Sequence, residues 1–188
     1  MNKLIKSYLY LALLAGVIVG LDQLTKSWVR ANIDLGAVWM PWEWLSPYAR
    51  IVHWYNTGVA FGMFQGHGWI FTILATVVVA IIIYIYPQVP EEDWSLRLAM
   101  GMQLGGAIGN LVDRLTIGHV TDFISIGTFP VFNIADSSIS VGVGVLILGV
   151  WLQEKEQRKK AAQKAHAPDT EDGGDAGGLL LSGESEVE

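Results

Sequence analysis

Cysteine is absent from this chain of 188 residues, which removes disulfides, thiolate metal sites and a cysteine nucleophile together. The histidines number only four, and none lies in an HExxH-type spacing. His53 and His67 stand 14 residues apart, so neither a metal ligand set nor any other cofactor is expected, and EDTA should leave activity untouched. Charge is scarce as well. Asp, Glu, Lys and Arg make up 16% of the chain, against about 25% in soluble domains. Basic surface of the kind that binds nucleic acid is missing, so no such partner is expected. The net charge of −6 is itself local: residues 165–188 carry seven acids and no Lys or Arg. Without them 11 acids face 12 bases. No internal repeat is found, against the duplicated halves of many transporters.

What the chain has in abundance is apolar sequence, 52% hydrophobic residues with a mean hydropathy of +0.39. Four stretches are long enough to cross a bilayer, at about 5–28, 69–86, 94–115 and 133–152. The first, behind Lys3 and Lys6, resembles a secretory signal. Leu13-Leu14-Ala15-Gly16 even opens like a lipoprotein cleavage box, but Val17 stands where the modified cysteine would be. With three further spans downstream, a permanent first helix is the better reading. Trp69–Tyr86 is 18 residues without a charge. In the third span Gly101, Gly105 and Gly109 recur every fourth residue, a stripe that admits a close neighbouring helix.

The connection 30–68 is rich in Trp and Tyr, as membrane–water interfaces are. Pro41 and Pro47 interrupt any long helix there, and Arg50–Tyr55 has strand composition. A short sheet and an interfacial helix are expected. Thr116–Phe132 reads as an outer turn with Gly118, Gly127 and Pro130 as breakers. Beyond Leu152 the chain is basic (Lys155, Arg158, Lys159, Lys160, Lys164), a cytoplasmic anchor, and 165–188 reads as a disordered acidic cytoplasmic tail. The basic residues at both termini put them in the cytoplasm.

Between the last two spans lies the polar stretch Gly109–Ser138, with Asp113, Asp122, Asp136, Asn110, Asn133 and Arg114. Ionisable groups at membrane depth cost roughly 2.5–3.5 kcal/mol each on insertion scales, so a chain that gathers them uses them. Asn110, Asp113 and Arg114 share a helix face by spacing. Asp113 and Arg114 either compensate each other or pair with neighbouring groups. Asn133 and Asp136 occupy one helical turn, where Asn133 reads as a cap and Asp136 as more than one. Asp22 and Lys26, also one turn apart, read either as an interfacial ion pair or as support for the other helix ends. Four spans with both ends inside bring Asp22, Asn56, Asn110, Asp113, Asp122 and Asp136 together at the outer face. Two neighbouring carboxylates there could divide the roles of general base and general acid toward a water molecule.

LDQLTK at 21–26, NTGVAFG at 56–62, GNLVDRL at 109–115, VTDF at 120–123 and FNIADSS at 132–138 resemble the conserved boxes of the signal peptidase II family. The resemblance spans about residues 5–155 and leaves the acidic tail outside. It implies a mainly α membrane protein with four transmembrane helices, a small periplasmic β-cradle and an interfacial helix in the bacterial inner membrane. It further implies an aspartic endopeptidase that cuts diacylglyceryl-modified prolipoproteins just before the modified cysteine. Asp122 and Asp136 match the catalytic pair. Asp22, Asn56, Asn110, Asp113, Arg114 and Asn133 match supporting or substrate-binding positions. A monomer whose partners are the prolipoprotein and membrane lipids is expected. The presenilin type is disfavoured because no GxGD occurs. A small transporter or proton channel is the alternative, but it would spread its polar groups through the membrane. A non-catalytic assembly subunit would leave the carboxylates without a purpose.

Overall fold

The computed structural model describes residues 2–58 and 68–166. It forms two units, Met1–Trp151 and Leu152–Glu188. Four long helices and one small sheet follow in the order α1 (Lys3–Asn32), β1 (Val38–Trp39), β2 (Ala49–Asn56), α2 (Gly68–Ile85), α3 (Trp94–Thr116), β3 (Val120–Ile126) and α4 (Ile134–His166).

Helix α1 buries Ser7, Leu11, Ala15, Ile18, Asp22, Lys26 and Val29. Steps of three and four put all seven on one stripe, which packs against α3. The other face leaves Leu9, Leu13, Val17, Leu21 and Leu24 more than half exposed. Along α2 only Ile82 is buried. Surface this apolar and this continuous belongs against lipid. Three helices, Lys3–Asn32, Gly68–Gln88 and Ile134–Gln163, are long and apolar enough to cross a membrane.

Helix α3 is less apolar because it lies inside the bundle. The side chain of Asp93 caps it by accepting from the Leu96 amide (3.2 Å). It then runs between α1 and α2, with Leu104 and Met100 sharing a core with Leu11, Ala15, Ile82 and Tyr86. The glycine stripe does what its spacing implies. A β-carbon on Gly105 would come within 2.7 Å of Ile18 Cβ, and one on Gly109 within 2.7 Å of Asp22 Oδ2. Asp22 cannot retreat, since Lys26 holds one of its oxygens and the Ala135 amide the other. Gly109→Ala should therefore lower the yield of folded protein several-fold, whereas Gly16→Ala, with open space around it, should not. Comparable yields of the two variants in membranes would show that the close approach is dispensable.

The sheet is antiparallel in the order β1–β2–β3. Strand β2 covers the segment read as a strand from composition. Strand β3, in contrast, occupies what the sequence reading took for a turn, and the correction has a simple cause. Gly118 (φ 80°) and Gly127 (φ 51°) sit outside the strand ends, where the left-handed backbone turns the chain. The residues between them pair with β2, with Trp54 opposite Asp122 and Asn56 opposite Val120.

Between the end of α1 at Asn32 and the start of α2 at Gly68, the helical piece among the described residues is a 3₁₀ turn at Glu43–Leu45. Residues 59–67, with His67 and most of the NTGVAFG box, lie outside the described residues. In the second unit α4 remains helical to His166, past the expected start of the tail at 165, with exposed Glu154–Arg158 and Glu156–Lys160 pairs. The rest of the tail, 167–188, lies outside the described residues.

Candidate active site

Two carboxylates face one another across the junction of sheet and bundle. Asp122 enters from β3 and is 2% exposed, while Asp136 enters from the first turn of α4. Asn133 holds both. Its Nδ2 donates to Asp122 Oδ1 (2.7 Å), and its backbone amide donates to Asp136 Oδ2 (3.3 Å). Its Oδ1 accepts from the Asp136 amide (2.9 Å), which closes a reciprocal capping box at the start of α4. Asp136 is thus a capping partner as well as one of the two facing carboxylates, and Asn133 is the cap its spacing implied.

Each carboxylate takes a second amide. Asn56 Nδ2 on β2 donates to Asp122 Oδ2 (2.8 Å), and Asn110 Nδ2 on α3 donates to Asp136 Oδ1 (2.8 Å). Asn110 is held in turn, because its Oδ1 accepts from Lys26 Nζ (2.8 Å) and Asn133 Nδ2 (3.1 Å). Burial pushes the Asp122 carboxyl up to about 7, and the neighbouring charge of Asp136 pushes it the same way; the amides of Asn56 and Asn133 oppose them.

Behind the pair lies a buried ionic cluster. Lys26 Nζ sits 2.8 Å from Asp22 Oδ2 and 3.2 Å from Asp113 Oδ2, with all three side chains almost wholly out of solvent. The i,i+4 pair of Asp22 with Lys26 is therefore present but buried, and the second oxygen of Asp22 accepts from the Ala135 amide (2.9 Å), so that it also caps α4 from α1. Asp113 Oδ2 accepts from the Thr121 amide (3.0 Å), anchoring β3 next to Asp122. Arg30 adds a longer contact to Asp113 (3.4 Å) and donates to Thr121 Oγ1 (3.0 Å). Gln23 bridges Asp22, Asp113 and the Gly109 carbonyl. Arg114 does not pair with adjacent Asp113. It turns the other way, toward the ring of Phe71 on α2, 6.0 Å from its guanidinium carbon. Asn110 stands between the other two: it shares Lys26 with Asp113 on one side and lines a cavity with Arg114 on the other.

All eight residues singled out in the sequence meet at this end of the bundle. Sequence reasoning missed the central position of Lys26 and the parts of Gln23, Arg30 and Thr121. The i,i+4 spacing of Asp22 and Lys26 was the one available signal.

Asp136 opens onto a cavity of about 540 Å³, with Asp122 behind its wall. Asn56, Asn110, Arg114 and Asp136 form its polar wall, and Phe129 to Phe132 with Val141 form its apolar one. A second, mostly apolar space of about 290 Å³ between Phe71, Leu74, Val78, Ala107 and Ile139 shares Asn110 and Arg114 with it.

Lipid-facing helices around a carboxylate pair largely withdrawn from solvent define a polytopic membrane protein with a hydrolase-like site at one end of its bundle. Comparison with known proteins narrows this. The family model for signal peptidase (SPase) II matches residues 14–152. A lipoprotein signal peptidase of Shouchella clausii is 39% identical over 151 residues, covering 78% of this chain and 96% of that protein. One from Dehalococcoides mccartyi is 43% identical over 132 residues, covering 68% and 80%. A solved structure described as a bacterial membrane enzyme superposes with a TM-score of 0.71 at 27% identity, over 78% of this chain and 90% of that one. A second bacterial membrane enzyme structure gives a TM-score of 0.67 at 28% identity, over 75% and 92%. The chain belongs to the signal peptidase II family, and it is a bacterial membrane peptidase.

Proposed function

We propose that this chain removes signal peptides from diacylglyceryl-modified prolipoproteins as an aspartic endopeptidase, with Asp122 and Asp136 as its catalytic pair. One observation carries the reading: Asn133 bonds both carboxylates at once, beside a cavity with one polar and one apolar wall. The ionised member takes a proton from water as the water oxygen attacks the scissile carbonyl. The protonated member donates to the carbonyl oxygen, giving a tetrahedral diol. Collapse of the diol sends a proton to the leaving nitrogen and restores the pair. The apolar wall suits acyl chains and an apolar signal segment, and Arg114 suits the polar part of a lipid-modified residue. The decisive experiment is cleavage of a lipid-modified precursor by the purified protein, with the same precursor lacking the lipid as control. Equal turnover of both would sink the substrate assignment.

Such a pair needs one proton. With Asp122 pushed up to about 7, raising the pH through that value strips the shared proton. Initial rates should decline by up to about tenfold per pH unit beyond it. The sign for stability is the same. A carboxyl raised from 3.8 contributes stability in full below the ordinary carboxylate range and loses it as pH rises through about 7. An activity profile that stays flat from pH 6 to 9 would remove Asp122 from the proton-sharing role.

The same reading makes α3 a fourth span, places both termini in the cytoplasm and puts the dyad at the outer face. Residues 165–188 then form an acidic cytoplasmic extension outside the peptidase unit, and the enzyme works as a monomer. Because the chain has no cysteine, single cysteines can be introduced and labelled. Position 129, exposed beyond β3, should react with an impermeant maleimide from outside, and the exposed position 92 only after permeabilisation. Labelling of 129 from the cytoplasmic side alone would reverse the topology.

A further inference from the structure

At the end of the bundle opposite the dyad, Arg97 on α3 is 8% exposed. Ser7, which it contacts, lies 15 residues before Asp22 on α1, about 22 Å along the helix. All the partners of its guanidinium are neutral. Nη1 donates to the Val89 carbonyl (3.1 Å), Nη2 donates to Ser7 Oγ (3.0 Å), and Cζ stands 4.6 Å over the ring of Tyr86. The contrast with Lys26 is informative, since that buried cation has two aspartates within 3.2 Å. Burying a cation among neutral groups is unfavourable unless an anion completes the site. Beside Arg97 a cavity of about 290 Å³ remains, lined also by Lys6, Ser7, Tyr10, Glu91 and Trp94. Two cations and one carboxylate on its wall leave a single positive charge, which matches one phosphodiester and disfavours a dianion. Trp94 (58% exposed) and Tyr10 (49%) flank it with amphipathic rings of the type that lie at headgroup level.

We propose that this pocket binds the phosphodiester of an anionic phospholipid headgroup, with Arg97 and Lys6 as its cationic ligands. Basic pockets between membrane helices are ready receptors for such groups. The proposal rests on membrane embedding alone, not on the dyad's chemistry, so a binding readout separates its failure from that of the peptidase reading. Full-length protein in detergent would be given equal amounts of phosphatidylglycerol and phosphatidylcholine and examined by native mass spectrometry. Wild type should retain one phosphatidylglycerol with a preference of at least about fivefold. Lys6→Glu, at an exposed position that should not disturb folding, should abolish the preference, while cleavage of precursor in the same detergent stays unchanged. Arg97→Gln should abolish it too where the variant folds. Equal retention of the two lipids by wild type, or an undiminished preference in Lys6→Glu, overturns the proposal. Displacement of the retained lipid by excess inorganic phosphate would assign the site to a free anion and overturn the lipid as ligand.

Discussion

Asp122→Asn and Asp136→Asn should each reduce cleavage of a lipid-modified precursor by at least about 10³-fold, roughly 4 kcal/mol of barrier, while both variants still insert and accumulate. Asparagine keeps the shape and cannot exchange the proton. The hydrogen bonds around each residue say what else will change. Asp122 accepts two amide donors, from Asn56 and Asn133. An asparagine there offers one acceptor and one donor, so one partner must rotate. Asn56 is the partner better placed to do so: it is half-buried, and among the described residues its Oδ1 accepts from the Gly58 amide (2.9 Å). At position 136 the partner Asn110 cannot rotate, because Lys26 and Asn133 fix its oxygen. The new asparagine must then give up its weak bond from the Asn133 amide, at a cost of about 1 kcal/mol. Each substitution also removes one of two adjacent buried carboxylates and their mutual repulsion, which offsets part of that cost. Combining the two should cost little more activity than either alone, since an acid and a base acting together fail together. Turnover by either single variant within tenfold of wild type at equal abundance would end the dyad mechanism. An asparagine variant missing from the membrane would be replaced in the test by the corresponding Glu variant, which must fold and be slow.

The features legible in the sequence were those with a local cause. The uncharged run at 69–86 is α2 within a residue, and RIVHWY is strand β2, because hydropathy and β-propensity act over a few neighbours. The glycine stripe announced the α1–α3 approach for the same reason. Strand β3 was hidden: its ladder partners lie far earlier in the chain, with Asn56 opposite Val120 and Ala49 opposite Ile126, and only that pairing makes Val120–Ile126 a strand and not a turn. The carboxylates and amides of the polar cluster were legible from the cost of placing such groups between apolar spans, whereas Gln23, Arg30 and Thr121 were not. Nor was the wiring of the cluster. Whether Asp113 chose adjacent Arg114 or distant Lys26 depends on the rotation of α3 against α1, and the close glycine contacts set that rotation. The double duty of Asp136, box partner and site carboxylate, likewise needs the position of Asn133 in space.

Lys26→Met should be the most destabilising single substitution at the site, with a loss of about 3–5 kcal/mol in folded stability. The cluster is electrically closed by Lys26 and Arg30 against Asp22 and Asp113. Of the two cations only Lys26 is fully buried; the Arg30 side chain is 27% exposed and stands 3.4 Å from Asp113. Removing Lys26 leaves Asp22 and Asp113 buried with one distant, partly solvated partner. It also takes the donor away from Asn110 Oδ1, so the amide that positions Asp136 loses a constraint. Arg30→Gln removes a more screened charge and should cost no more than about 1 kcal/mol. Asp22→Asn together with Lys26→Met should recover much of the single-variant loss, because a neutral amide still reaches the Ala135 amide while one uncompensated charge disappears. Thermal unfolding in detergent, followed by intrinsic tryptophan fluorescence, would rank the variants as Lys26→Met lowest, the double variant above it and Arg30→Gln near wild type. A double variant no more stable than Lys26→Met would show that packing of the lysine stem, not charge balance, holds this end of the bundle together.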